Sequence, residues 1–209
     1  MSSNHNQCTI FIVDDDEAVR DSLRWLLEAN GYQVKCYASA EAFLNSYDEN
    51  QLCVLIVDVR MPGMSGLELQ EALIERDANI PMVFITGHGD VPMAVSTMKK
   101  GAIDFLEKPF NEAELRTIVA RMIDIAIEQH KKEQERRQHE EILARLTARE
   151  QQVLERIVAG RLNKQIAGDL DISIKTVEAH RANIMEKLEV TTVADLMKIA
   201  LAPIGEESL

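Results

Sequence analysis

Five polar side chains stand at the ends of short apolar runs. Asp14 and Asp15 follow Thr9–Val13, Asp58 follows Cys53–Val57, Thr86 follows Pro81–Ile85, and Lys108 follows Asp104–Leu106. Taken singly, each has an ordinary role. An acid after a strand is a turn residue, a threonine there is a β-branched strand end, and a lysine is a solvated charge. Taken together they form a reactive set. Carboxylates gathered in one crevice repel one another unless a divalent cation joins them. Oxygen-only ligands favour Mg²⁺, with Mn²⁺ as its substitute. Ionised Asp58 can attack a phosphoryl group while the cation and Lys108 neutralise the phosphoryl oxygens and Thr86 offers a hydroxyl. The product is an acyl phosphate, which hydrolyses readily, so the added charge is temporary.

That chemistry requires one crevice for all five residues. Up to residue 110 the apolar runs Thr9–Val13, Gln33–Tyr37, Cys53–Val57, Pro81–Ile85 and Asp104–Leu106 alternate with amphipathic stretches. In the first of these, Val19, Leu23, Leu26 and Leu27 recur at helical spacing, and Asn30-Gly31 supplies a left-handed stop. Five strands alternating with five helices predict a parallel sheet covered on both faces. In such a sheet the carboxyl ends of the strands converge where strand order reverses, and the five polar residues all sit at such ends.

The 209 residues suit one large domain or two small ones. No run of eighteen apolar residues occurs, so no membrane-spanning helix is expected. The start, MSSNHNQCTIFIV, has no basic segment before its apolar run, so no secretory signal is expected and a cytoplasmic location is. Cys8, Cys36 and Cys53 are odd in number, lack CxxC spacing and read as reduced packing thiols. The net charge of −12 argues at first against a nucleic-acid partner. Its distribution reverses that: residues 1–111 carry −9, 112–143 carry −2 and 144–209 only −1.

Asn111 can cap a further helix, with Glu114 completing an N-x-x-E box, and Leu115, Ile118, Met122 and Ile125 continue its apolar stripe. The stripe fades into EQHKKEQERRQHEE, residues 128–141, which has neither Gly nor Pro. This reads as a long solvated helix joining two domains. The sharper alternative is a coiled-coil seam through Gln129, Lys132, Arg136 and His139. Beyond residue 143 four short helices follow. Thr147-x-x-Glu150 is a capping box, Gly160 breaks the first helix, Asn163 can cap the second and Ser173 the third, and a fourth runs from Thr192 to Ala200. In NKQIAGDLDISIKTVEAHRANIMEKLEV a helix, a short turn and a second helix have the pattern of a helix-turn-helix, whose second helix enters the major groove N-terminus first. Lys175, Thr176, Glu178, Arg181 and Asn183 are polar and mostly off its core stripe. A helical protein-interaction module has the same amphipathic pattern.

FIVDDDEAVRDSLRWLLEANGY, LIVDVRMPGMSGLEL, VFITGHGDVPMAVSTMKKGA and DFLEKPF resemble the receiver domain of bacterial two-component response regulators, over residues 8–120. LTAREQQVLERIVAGRLNKQIAGDLDISIKTVEAHRANIMEKL resembles the output domain of FixJ/NarL-type regulators with LuxR-type helices. The resemblance implies a flavodoxin-like (βα)5 receiver over 1–120, a helical linker over 121–143 and a four-helix DNA-binding domain over 144–209. It implies Asp58 as phosphoacceptor, and Mg²⁺ held by Asp14, Asp15, Asp58 and the Arg60 carbonyl. Thr86 and Phe105 are the implied switch pair, and Lys108 the implied phosphoryl contact. The family often has Tyr where Phe105 stands, and Phe105 has no hydroxyl to bond once turned inward.

In the output domain the resemblance puts Lys175, Thr176, Glu178, Ala179 and Ala182 on the exposed face of the recognition helix, beside Arg181. Asn163, Lys164 and Lys187 are implied phosphate contacts, and His180 is either part of this face or a bridge to the core edge. The implied partners are a sensor histidine kinase, promoter DNA, RNA polymerase and a second copy of the chain. Pairing is expected through 91–100 and 104–106, presenting heads to half-sites roughly 34 Å apart. The chain is thus expected to act on itself and not as an enzyme on external substrates. The enzyme rival, an Mg²⁺-dependent aspartyl-phosphate phosphatase, commonly carries D-x-D, whereas here Asp14-Asp15-Asp16 precedes Glu17-Ala18 with no capping insertion.

Overall fold

A computed structural model of the chain describes residues 8–87, 95 and 97–201. They fall into two compact units, 1–130 and 131–209. The first unit is built from β1 (Thr9–Val13), α1 (Glu17–Glu28), β2 (Gln33–Tyr37), α2 (Ala40–Ser46), β3 (Cys53–Asp58), α3 (Gly66–Glu75), β4 (Met82–Thr86) and β5 (Asp104–Glu107), followed by α4 (Glu112–Leu143). Between β4 and β5, residues 97–99 are helical, while 91–94 and 96 of the expected dimer face lie outside the described residues.

All five strands are parallel, in the order β2-β1-β3-β4-β5. The three inner strands are buried on both faces, which is why they read as unbroken apolar runs. Successive side chains alternate between faces. Ile10, Ile12, Val54, Ile56, Val83 and Ile85 pack against Leu23 and Leu27 of α1 and Leu115, Val119 and Met122 of α4. Phe11, Val13, Leu55, Val57 and Phe84 pack on the opposite face against Phe43 of α2 and Leu69 and Leu73 of α3. The helix starts are set by caps: Asp16 accepts the Ala18 N–H at 2.9 Å, Ser39 the Ala42 N–H at 3.2 Å, and Ser65 and Glu68 form a reciprocal box. Asn111 accepts the Ala113 N–H at 2.8 Å at the entry to α4.

α4 is a single helix of 32 residues. Its stripe is buried as far as Met122, Ile123 and Ala126, so residues placed by sequence in the linker lie inside the first unit's core. Its polar stretch is held by pairs three and four residues apart: Arg136 binds Glu133 at 2.8 Å and also Glu140, and Arg137 binds Glu133 at 2.7 Å. These hydrogen bonds from Arg136 and Arg137 hold the Glu133 carboxyl down to about 2. Arg136, one of the seam positions of the coiled-coil alternative, thus directs its guanidinium along its own helix.

The second unit contains α5 (Ala148–Val158), α6 (Asn163–Leu170), α7 (Ile174–Lys187) and α8 (Val193–Ala200). Val153, Leu154, Ile157, Ile166, Val177, Ile184, Leu188 and Leu196 form its core. Thr147 and Glu150 make the expected box, Ser173 accepts the Thr176 N–H at 3.1 Å, and Gly160 turns the chain at φ 73°. The start of α6 differs from expectation. Leu162, not Asn163, takes the extended cap conformation, and the Gln165 side chain accepts the Leu162 N–H at 2.9 Å. The helix begins one residue early because Gln165 supplies that bond; Leu162 has no side-chain acceptor to contribute.

Candidate functional site

The strand order reverses between β1 and β3, which makes the crevice between them the natural binding point of such a sheet. Asp14 follows β1 and Asp58 closes β3; both carboxylates are buried. Lys108, just beyond β5, reaches across β4, and its Nζ lies 2.8 Å from Asp14 Oδ2 and 2.8 Å from Asp58 Oδ1. The main chain holds the other carboxylate oxygens: the Asp16 N–H donates to Asp14 Oδ1 at 2.9 Å, and the Arg60 N–H to Asp58 Oδ2 at 2.7 Å. Lys108 is itself fixed, its N–H donating to the Thr86 carbonyl at 2.7 Å.

The charges are unevenly compensated. Burial pushes the Asp14 carboxyl above its usual range, against the pull of the bonds from Lys108 and Asp16. Burial pulls the Lys108 ammonium down, but the two carboxylates more than reverse this and leave it above the usual lysine value. Two buried acids therefore face one ammonium.

Thr86 is buried at the end of β4. Phe105 pairs with Phe84 across β4 and β5, so by strand alternation it shares a face with Thr86, two residues further on. It is half-buried against the cluster that contains Phe84. Asp15 is exposed, and among the described residues no three acidic, His or Cys side chains gather closely enough to hold a metal ion. Arg20, which the sequence does not single out, donates from Nη1 to the Asp14 carbonyl at 2.6 Å and steadies the turn after β1. Gly66 is another unheralded residue: a Cβ there would stand 2.3 Å from the Asp58 carbonyl oxygen, so only glycine lets α3 start beside the pocket.

In the second unit α6 and α7 pack together through Ile166, Ala167 and Val177. The turn between them is set by Asp171 at φ 52°, and the Arg149 guanidinium donates to the Leu170 carbonyl at 2.6 Å. Lys175, Thr176, Glu178, Ala179 and Ala182 are exposed on α7, and Arg181 and His180 are half-exposed. Lys164 is exposed and Asn163 half-buried at the start of α6. Lys187 stands apart from them. It lies at the far end of α7, and its Nζ bonds Glu150 Oε2 at 2.7 Å. The Glu150 side chain is only 4% exposed. Its carboxyl is held down to about 2 by Lys187 and by the Thr147 N–H and hydroxyl.

A parallel five-stranded sheet whose central crevice holds two acids and a lysine, followed by a helix-turn-helix, defines a receiver joined to a DNA-binding output domain. The chain belongs to the bacterial response regulators: residues 10–120 match the response regulator receiver domain and residues 144–200 match the bacterial regulatory proteins of the luxR family. Over 94% of its length it is 45% identical to the response regulator protein TmoT of Ectopseudomonas mendocina, covering 89% of that protein. It is 46% identical to the transcriptional regulatory protein FixJ of Rhizobium meliloti, over 93% of this chain and 95% of FixJ. Among solved structures, the response regulator StyR matches with a TM-score of 0.82 and 45% identity, over 94% of this chain and all of that one. Full-length FixJ of B. japonicum matches with a TM-score of 0.52 and 40% identity, over 92% of this chain and 95% of that one. The protein is therefore a transcriptional response regulator, and no helix among its described residues is long and apolar enough to cross a membrane.

Proposed function

We propose that Asp58 accepts a phosphoryl group from a phosphohistidine of a sensor histidine kinase and that this event controls promoter binding by α7. One observation carries the reading: a single ammonium, Lys108, lies 2.8 Å from the carboxylates of both Asp14 and Asp58. The P–N bond of the donor breaks as a P–O bond to an Asp58 carboxylate oxygen forms. The Lys108 ammonium then faces phosphoryl oxygens as well as Asp14. The added charge and its three acceptors favour a state in which the Thr86 hydroxyl bonds the phosphoryl group and Phe105 follows inward.

The donors suit Mg²⁺, or Mn²⁺ in its place, because they are oxygens and because two buried acids face one ammonium. Asp14, Asp58 and the Arg60 carbonyl would hold the ion, with exposed Asp15 at the rim and water completing the shell. When bound, the ion supplies charge neutralisation of the phosphoryl oxygens. The receiver keeps its core through Ala126, the polar remainder of α4 is the connector, and the four-helix domain takes up 144–209, in a cytoplasmic protein. Phosphorylation promotes pairing of receivers, with Lys175, Thr176, Glu178, Ala179, Arg181 and Ala182 facing base edges and Asn163 and Lys164 facing phosphates. Promoter-bound dimers then engage RNA polymerase.

Labelling of the full chain by a small phosphodonor with Mg²⁺ tests the acceptor. The label should be released by hydroxylamine, as an acyl phosphate is, and should be absent from Asp58→Asn. A hydroxylamine-resistant label, or one retained in that variant, defeats the reading. Beryllium fluoride should raise the sedimenting mass towards a dimer, and an unchanged monomer rejects phosphorylation-driven pairing.

A further inference from the structure

Glu41 is an acid outside the crevice that nevertheless reaches the wall of the crevice. It lies in the first turn of α2, and its Oε1 accepts the Met64 N–H at 2.9 Å, across 23 residues of sequence. Met64 belongs to the loop that leaves Asp58. The loop is closed by the Gly66 N–H donating to the Val59 carbonyl at 3.0 Å. It carries Arg60, whose N–H holds Asp58 Oδ2 at 2.7 Å. Gly63, at φ 75°, passes so near that a Cβ there would stand 2.7 Å from Glu41 Oε1. The Glu41 carboxyl lies below its usual range, first through its own backbone N–H and then through the Met64 N–H and the Ser39 hydroxyl.

The loop is already anchored by apolar packing, with Val59 and Met61 buried in the cluster that holds Ala40 and Phe43 of α2. Such packing is non-directional. Aiming an N–H at one carboxylate oxygen requires fixed peptide planes, and a bond to an ionised carboxylate supplies that direction. We propose that Glu41 is a positioning residue for phosphorylation of Asp58. Through Met64 it fixes the loop that aims the Arg60 N–H at Asp58 and that carries the Arg60 carbonyl. This rests on Asp58 being the acceptor.

Four forms of the full chain test it: wild type, Glu41→Ala, Glu41→Gln and Asp58→Asn. Hydrogen exchange over residues 59–65, without metal, reports the tie directly. Labelling by a small phosphodonor across a Mg²⁺ series reports its consequence. In Glu41→Ala, exchange should quicken and the Mg²⁺ concentration for half-maximal labelling should rise, each by about tenfold, the scale seen when the support of a metal ligand is removed. The rate at saturating Mg²⁺ should change less. Glu41→Gln, which keeps an amide oxygen as acceptor, should fall between wild type and alanine. Wild-type exchange or wild-type Mg²⁺ dependence in a folded Glu41→Ala or Glu41→Gln overturns the proposal. Equal labelling of wild type and Asp58→Asn would sink the acceptor assignment instead, and the exchange rates would still decide whether Glu41 holds the loop.

Discussion

Lys108 Nζ lies 2.8 Å from Asp58 Oδ1, and the two residues are 50 apart in sequence, at the ends of strands separated by β4. The contact makes the pocket a pre-formed ion cluster in which the cation needed for a phosphoryl group already stands. Replacing Lys108 by Ala removes that charge and leaves two buried acids facing each other. The labelling rate of Asp58 by a small phosphodonor at saturating Mg²⁺ should fall about 100-fold, the usual cost of losing one charge-stabilising donor. A rate within twofold of wild type in a labelling time course removes Lys108 from the chemistry.

Asp14 is held in the pocket at the expense of stability. Its folded pKa is raised, chiefly by burial, so the fold favours the protonated acid. The stability this gives is present below the ordinary carboxylate range and is lost as pH rises through the folded value. Without added divalent cation, Asp14→Asn should not show that decline. At pH 7 it should be more stable than wild type by roughly 0.5–2 kcal/mol, the usual range for a single stabilising substitution. Denaturant unfolding against pH checks this, and a variant less stable than wild type at pH 7 counts against it.

In the second unit the sign is opposite. Glu150 is lowered from 4.5 to about 2, first by Lys187 and then by the Thr147 N–H. A depressed folded pKa gives stability that is present above about pH 4.5 and is lost as pH falls towards about 2. Glu150→Gln should cost roughly 1–3 kcal/mol at pH 7, as for a buried group left without its charged partner. The difference from wild type should shrink through that acid window, followed by far-ultraviolet circular dichroism. A difference independent of pH excludes the ionised pair as its source.

How these sites relate to the sequence depends on whether a contact is local or long-range. Asp14, Asp58, Thr86 and Lys108 are legible because each ends a short apolar run and parallel strands bring such ends together. The capping boxes at Ser65 and Thr147 follow from spacing alone, although only the second is anticipated. Asn163 reads as a cap because its side chain is a good acceptor, yet Gln165, three residues beyond Leu162, decides the start of α6. The Glu150–Lys187 pair is hidden because its members are 37 residues apart and each has a sufficient local role, in a capping box and at a helix end. Arg20 and Glu41 are hidden for a related reason: bonds from side chains to distant or looped main chain leave no period in the sequence.

The position of Lys187 separates two roles that sequence assigns together. Lys164 and Lys175 are exposed near the starts of α6 and α7, whereas Lys187 is bonded to buried Glu150 at the end of α7. A lysine that contacts a phosphate releases a condensed counterion on binding, so Lys164→Ala should reduce the slope of log affinity against log salt by about 0.9. Lys187→Ala should leave the slope at its wild-type value. It should instead lower the stability of its unit by about 3 kcal/mol, because it strands a buried carboxylate. Fluorescence anisotropy with a duplex selected from random sequence, titrated over salt, measures the slopes, and urea unfolding of the same proteins measures stability. A reduced slope with unchanged stability for Lys187→Ala reassigns that lysine to the DNA face.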